Sequence, residues 1–128
     1  MIIMGYYSDT HRVTHYPDVL AENAANEVTL FKNTGDTAKG FMAMHKDAVA
    51  DGAIDSKTKE LMALAVSIAI RCEGCITSHT DSAIKKGATE QEIIETIKVG
   101  MMMSGGPGMI YGSKAIAAAE QFFGKHLA

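Results

Sequence analysis

Apolar residues recur along most of the chain at the three- and four-residue spacing of amphipathic helices. The pattern predicts a first helix from Asp18 to the turn signal Asn33-Thr34-Gly35. A second helix is predicted to follow, with Asp36 as its cap and Gly52 at its end. No stretch has the pattern of a strand, so we expect an all-α fold.

The third predicted helix is the most apolar one. It follows a capping residue at Asp55 or Ser56 and is hydrophobic almost all the way round between Leu61 and Ile70. The run is much shorter than the roughly 20 residues that a membrane helix needs. We therefore expect a buried helix at the centre of the domain and no association with a membrane.

Two further helix boundaries carry specific signals. The cysteine-containing helix is predicted to run to about Lys86, with Gly87 just after its end. Thr89-Glu90-Gln91-Glu92 forms a capping box that begins the next helix, which ends at Ser104-Gly105-Gly106-Pro107-Gly108. We expect these glycines to let another helix approach closely. A last, alanine-rich helix is predicted over about residues 109–123.

The chain of 128 residues fits a single domain. Residues 1–17 lack periodicity and are predicted to form an arm, whose apolar tip docks on a neighbouring subunit, ahead of a helical domain at 18–128. A net charge of −3 leaves no basic patch, so nucleic acid is not an expected partner. The opening residues Met1 to Tyr7 have no cationic leader, and we expect a cytoplasmic protein.

The candidate chemistry lies in the stretch from Cys72 to His79, which holds both cysteines. Gly74 and its polar neighbours suggest that a helix begins there. Because each helical residue turns about 100°, Cys72, Cys75 and His79 fall on one face. Free N–H groups at the start of the helix favour thiolates. A structural disulfide would close too short a loop to stabilise much, so the pair is predicted to be reactive or metal-binding.

Four chemistries use a Cys-x-x-Cys pair. Covalent haem attachment requires a histidine where Ile76 stands, and a thioredoxin-like site requires strands around the motif. Zinc remains open, with Cys72, Cys75 and His79 as ligands. Glu60 is a candidate fourth ligand, although a closed zinc site usually has a second Cys/His pair further along. The remaining chemistry is thiol redox, with His79 and Glu60 transferring protons.

Several polar residues have both a structural and a functional interpretation. Glu60 is either a solvated acid of a first helical turn or a carboxylate that faces the thiols. If it is buried, it needs a partner or a raised pKa. His45 is predicted to be a hydrogen-bonded core or interface histidine outside the site, and Arg71 a solvated cation at a helix end. Ser67 and Tyr111 are polar candidates for the wall of the pocket, and ordinary helix packing explains both equally well.

The motifs together resemble the alkylhydroperoxidase AhpD-like, carboxymuconolactone decarboxylase family. Glu60 precedes the cysteine pair by twelve positions, the histidine follows four later, and the stretch Ala83 to Ile93 and Gly105-Gly106-Pro107 complete the likeness. It spans about residues 55–123. The resemblance implies an all-helical fold, assembly as a homotrimer or homohexamer, and active sites near subunit interfaces.

The resemblance also implies a mechanism. Cys75 is the thiol that attacks an organic hydroperoxide, Cys72 is the resolving thiol, and Glu60 and His79 form a proton relay. No cofactor is expected beyond an external dithiol reductant, which is a lipoylated protein for the family's known peroxidase. Two alternatives remain: decarboxylation of a muconolactone acid, for which relatives do not depend on a redox Cys-x-x-Cys, and a zinc-binding or redox-sensing subunit without enzymatic activity.

Overall fold

The computed structural model describes residues 11–127, which form α-helices joined by short turns and contain no strand. The all-α fold predicted from the sequence is confirmed. In chain order the helices are α1 (Tyr16–Thr34), α2 (Asp36–Val49), α3 (Ser56–Ala69), α4 (Glu73–Lys85), α5 (Glu90–Ser104) and α6 (Gly106–Phe123).

Helix α3 is central, as its apolar sequence predicts. It packs against α4, α5 and α6, and its Leu64 and Ile68 are fully buried. Complete burial of one such side chain contributes about 1.5–3 kcal/mol. Ile76 of α4 and Ile93 of α5 meet them in the same core. The core therefore fixes α4, which carries the cysteines, against α3, which carries Glu60.

Local capping rules set the boundaries on either side of the site. Asp55 caps α3 by accepting a hydrogen bond from the Thr58 N–H at 2.7 Å. The predicted capping box is present, with Thr89 Oγ1 accepting from the Glu92 N–H at 3.1 Å and Glu92 accepting from the Thr89 N–H at 2.9 Å. Gly87 has a φ of 95°, which suits glycine just after the end of α4.

The predicted ends of α2 are wrong by small amounts. The N-cap is Gly35, with a φ of 52°, and no side chain caps the helix, so Asp36 is its first residue. The helix ends at Val49 because the next residue, Ala50, is extended. Gly52 is therefore not its terminator.

Proline explains why two helices begin earlier than predicted. Helix α1 starts at Tyr16 and α6 at Gly106, each with a proline in its first turn, where the missing N–H costs nothing. The close approach predicted for the glycines before α6 is confirmed at Gly108, where a Cβ would lie 3.0 Å from the Cα of Met101. It is wrong for Gly105 and Gly106, which have no such neighbour within 4 Å.

Residues 12–16 lie along the end of α6. Arg12 forms an ion pair with the buried carboxylate of Glu120, and Gln121 donates a hydrogen bond to the carbonyl of Thr14 at 3.0 Å. Glu120 also accepts from the N–H of Leu127 at 2.7 Å, so it joins both ends of the described chain. The division into an arm and a helical domain stays a prediction. The apolar tip, Met1 to Tyr7, lies outside the described residues.

Large apolar side chains are exposed on several helices. On α3 and its C-cap residue they follow one face, where Met62, Val66 and Ile70 are 51%, 57% and 63% exposed. The predicted burial of this helix is therefore wrong for that face. The run from Met101 to Met103 at the end of α5 is exposed as well. Within residues 11–127, no helix combines the length and the apolar character needed to cross a bilayer.

Candidate functional site

The two cysteines lie at the start of α4, where they are joined by a disulfide with a Cα–Cα distance of 5.2 Å. Cys72 is the N-cap residue, and its Sγ accepts a hydrogen bond from the Cys75 N–H at 3.3 Å. The predicted start of the helix is thus confirmed. Arg71, with a left-handed φ of 61°, turns the chain from α3 into this cap. Both sulfur-bearing residues are half-buried.

Glu60 faces into the protein and contacts the predicted histidine. It is 2% exposed, and its Oε2 lies 2.8 Å from His79 Nδ1. Beside a carboxylate, Nδ1 is the nitrogen that donates, which leaves Nε2 as the free basic atom of the ring. Of the two interpretations that the sequence leaves open, the structure favours the buried carboxylate of a polar cluster over the solvated acid.

The second oxygen of Glu60 is also occupied. Lys86 Nζ lies 3.1 Å from Oε1, so the carboxylate is held by a partner on each oxygen. Burial raises the pKa of Glu60, but the hydrogen bonds from His79 and Lys86 outweigh burial and keep it below the ordinary value. The cost of burying the charged carboxylate is therefore offset by its two partners, and the pKa of Glu60 is not raised.

Lys86 is a site residue that the sequence reasoning misses. A lysine at the end of a helix is ordinarily explained by the negative end of the helix dipole. The usable signal is its spacing, because it follows His79 by seven residues, or about two helical turns, and so shares its face.

His45, which the sequence predicts to lie outside the site, is on α2 with its ring next to that of His79. Its ring and that of His79 are nearly parallel, at an interplanar angle of 17°, with centroids 6.4 Å apart. This separation is within the range of offset aromatic pairs. The site thus combines residues of α2, α3 and α4, with His79 one helical turn beyond Cys75 on α4.

A cavity of about 440 Å³ opens beside the disulfide, between α1 and α4. No feature of the sequence indicates that α1 contributes to the site. Apolar side chains, two amides and one carboxylate of α1 form one wall, and the cysteine turn forms the other. The lining comprises Leu20, Asn23, Ala24, Asn26, Glu27, Leu30, Cys72, Gly74, Cys75 and Ser78. Small organic molecules can therefore reach the cysteines from this side.

The other polar candidates have ordinary surroundings. Ser67 is buried and donates to the carbonyl of Ala63 at 2.6 Å within its own helix, and Tyr111 packs against the core. Arg71 is exposed, as expected for a solvated cation. Across residues 11–127, no group of three or more His, Cys, Asp or Glu side chains is arranged to hold a metal ion.

These features define a class of small all-helical proteins in which a Cys-x-x-Cys disulfide opens one helix next to a buried Glu–His pair. Comparison with known families agrees with this description. Residues 35–120 match the model of the carboxymuconolactone decarboxylase family, and the chain belongs to that family.

Three similar proteins illustrate the range of this likeness. A carboxymuconolactone decarboxylase family protein from Legionella pneumophila superposes with a TM-score of 0.80 at 34% identity, covering 84% of this chain and 96% of that one. An uncharacterized protein of the cox locus of Paracoccus denitrificans is 38% identical over 66% of this chain and 76% of its own length. The alkyl hydroperoxide reductase AhpD of Corynebacterium kroppenstedtii is 30% identical, over 55% of this chain and 40% of that protein.

Proposed function

We propose that this protein is a thiol-dependent peroxidase that reduces organic hydroperoxides through a Cys72–Cys75 dithiol–disulfide cycle. The observation that carries the proposal is the 2.8 Å contact between buried Glu60 and His79, one helical turn from Cys75. A disulfide alone is compatible with many roles, whereas a carboxylate-oriented imidazole beside it supplies the base that a reactive thiol needs. Similarity to an alkyl hydroperoxide reductase supports the same activity.

In the proposed cycle His79 removes the proton of the Cys75 thiol, and Glu60 stabilises the imidazolium that forms. The thiolate attacks the terminal oxygen of ROOH, the O–O bond breaks, and the protonated leaving group departs as ROH. Cys75 is then a sulfenic acid. Cys72 attacks its sulfur, water leaves, and the disulfide forms; an external dithiol reduces it by exchange.

The geometry around the sulfurs suits this assignment of roles. Cys72 is the cap of α4 and its Sγ accepts from the Cys75 N–H, so the resolving sulfur is already next to the attacking one. This arrangement shortens the lifetime of the sulfenic acid and protects it from further oxidation. The cavity between α1 and α4 gives both the hydroperoxide and a slender dithiol, such as a lipoyl group, a route to the sulfurs.

We further propose that the active protein is a homotrimer or homohexamer. The exposed apolar face of α3 and the exposed methionines at the end of α5 are the surfaces that association would cover. Sedimentation of a stable monomer would contradict this part of the proposal.

The test is a single turnover. Reduced protein, freed of reductant, is mixed anaerobically with one small organic hydroperoxide, and free thiols and the alcohol product are measured. We expect both thiols to disappear as one equivalent of alcohol forms. Cys75→Ser should abolish the reaction, since it removes the nucleophile.

A second variant separates the two cysteines. Cys72→Ser keeps a good N-cap residue on α4 and should still react once, leaving a Cys75 sulfenic acid that a dimedone-type reagent traps. Full activity in Cys75→Ser, or thiols that persist in metal-free wild-type protein, would contradict the proposal. Persistent thiols in metal-free protein would favour a decarboxylase-type use of the fold, and thiols protected by bound zinc would favour a metal-binding subunit.

A further inference from the structure

His45 has no part in the proton relay proposed above, yet its ring stacks beside that of His79. It is half-buried, whereas its neighbours Met44 and Lys46 on α2 are exposed. The ring lies almost parallel to that of His79, with 6.4 Å between the centroids. Helix α2 therefore brings a second imidazole to the residue that we propose as the base.

The peroxide step requires a proton donor as well as a base. Breaking the O–O bond places an electron pair on the departing oxygen, and an alkoxide is too basic to leave without a proton. His79 carries only the proton that it takes from Cys75, which is used when the disulfide closes, and its Nδ1 is engaged with Glu60 at 2.8 Å. Lys86 is engaged with the other oxygen of Glu60. An imidazole exchanges protons readily near neutral pH.

We propose that His45 is the general acid of the peroxide step, an inference that rests on the proposed peroxidase function. The Cys75 thiolate forms an S–O bond with the terminal oxygen of ROOH as the O–O bond breaks. The departing RO oxygen takes a proton from the His45 imidazolium. The products are ROH, a Cys75 sulfenic acid and neutral His45, which water protonates again. When Cys72 closes the disulfide, the hydroxide that leaves takes the proton on His79. The proton lost by the Cys72 thiol passes to solvent and replaces the one that His45 took from water.

The test compares leaving groups. His45→Phe keeps a flat ring against His79 but cannot donate a proton. The rate of Cys75 oxidation is measured in the Cys72→Ser background with tert-butyl hydroperoxide, whose alkoxide needs a proton, and with a peroxy acid, whose carboxylate does not. We expect a loss of about 100-fold with the alkyl hydroperoxide and of less than about threefold with the peroxy acid, in line with the usual effect of a general acid.

A second His45 variant and a control variant at another histidine complete the test. His45→Gln keeps a polar side chain without its proton exchange and should show the same selective loss, so the test survives if His45→Phe misfolds. His15→Phe removes an exposed histidine at the start of α1 and should react at the wild-type rate with both oxidants.

The outcomes distinguish this inference from the proposed function. Equal slowing with both oxidants would mean that His45 only positions the thiolate or His79, and would overturn the assignment. Wild-type rates in both His45 variants would overturn it as well. If the wild-type protein reacts with neither oxidant, the peroxidase function itself fails and the inference fails with it.

Discussion

Lys86 and His79 contact opposite oxygens of Glu60, at 3.1 and 2.8 Å, so one buried carboxylate is shared by a side chain of α4 and the residue that ends it. The shared carboxylate joins the beginning of α3 to the middle and the end of α4. It also engages Nδ1 of His79 and leaves Nε2 as the second ring nitrogen. The consequences of this contact are measurable without knowledge of the substrate.

Replacing Lys86 tests how much this residue contributes to the pKa of Glu60 and to the stability of the fold. Lys86→Met should raise the pKa of Glu60, because one of the two hydrogen bonds that lower it is lost. The side chain is 36% exposed, so solvent screening limits the expected loss of stability to about 1 kcal/mol. NMR titration of the Glu60 carboxylate and urea unfolding measure the two effects. Lys85→Met, which removes an exposed pair with Asp81, should leave the Glu60 titration unchanged.

The change in the free energy of unfolding with pH should depend on the ionisation of Glu60. Its pKa in the folded protein lies below the ordinary 4.5, so the unfolded chain binds the proton more readily. The stabilisation is therefore complete above that ordinary value and is lost as the pH falls through the lowered pKa. Urea unfolding from about pH 7 to about pH 3 should show a shallower acid loss in Glu60→Gln than in the wild-type protein. Identical slopes would mean that the carboxylate is not held by its partners in solution.

Helices α3 and α5 should pack this closely only because Gly100 has no side chain. A Cβ there would lie 3.1 Å from Cβ and Cγ2 of Ile68 and 3.2 Å from the Ala65 carbonyl oxygen, so the two helices would have to separate. Gly100→Ala is expected to destabilise the fold by about 1–3 kcal/mol in chemical denaturation.

Gly40 provides the matched control, since it lies within α2 and a methyl group added to it would meet no atom within 4 Å. Gly40→Ala should stabilise by about 0.5–1 kcal/mol through helix propensity alone. A stabilising effect at Gly100 would refute the tight contact between α3 and α5.

Glu120 should protect residues 12–16 from proteases. Glu120→Gln removes the charge that Arg12 contacts and turns one acceptor into a donor beside the Leu127 N–H. We expect trypsin to cleave after Arg12 about fivefold faster under native conditions, which corresponds to a loss of about 1 kcal/mol. Glu95→Gln, at an exposed position of α5, should leave the cleavage rate unchanged.

The parts of the fold that follow local rules could be predicted from the sequence. The caps at Asp55 and Thr89, and the glycine after α4, are set by hydrogen bonds within a few residues of each other. Helix α2 was predicted, but its cap and its end were wrong because Gly35 and Ala50 set them by backbone conformation.

The site was only partly predictable for a different reason. Cys72, Cys75 and His79 share one helix, so their spacing fixes their common face. Glu60 and His45 reach them from other helices, and only the packing of α2 and α3 decides which way those side chains point. The lining contributed by α1 depends on packing in the same way.

Cys72 has two tasks in one atom, since its sulfur is both half of the disulfide and the acceptor that caps α4. Reduction separates that sulfur from the sulfur of Cys75, and a thiolate at Cys72 would be a better acceptor for the Cys75 N–H than a disulfide sulfur. Each turn of the redox cycle should thus tighten and loosen a single hydrogen bond at the head of a helix that stays folded throughout. Slower amide exchange at Cys75 in the reduced protein would indicate that reduction strengthens this hydrogen bond. The redox cycle would then require little structural reorganisation.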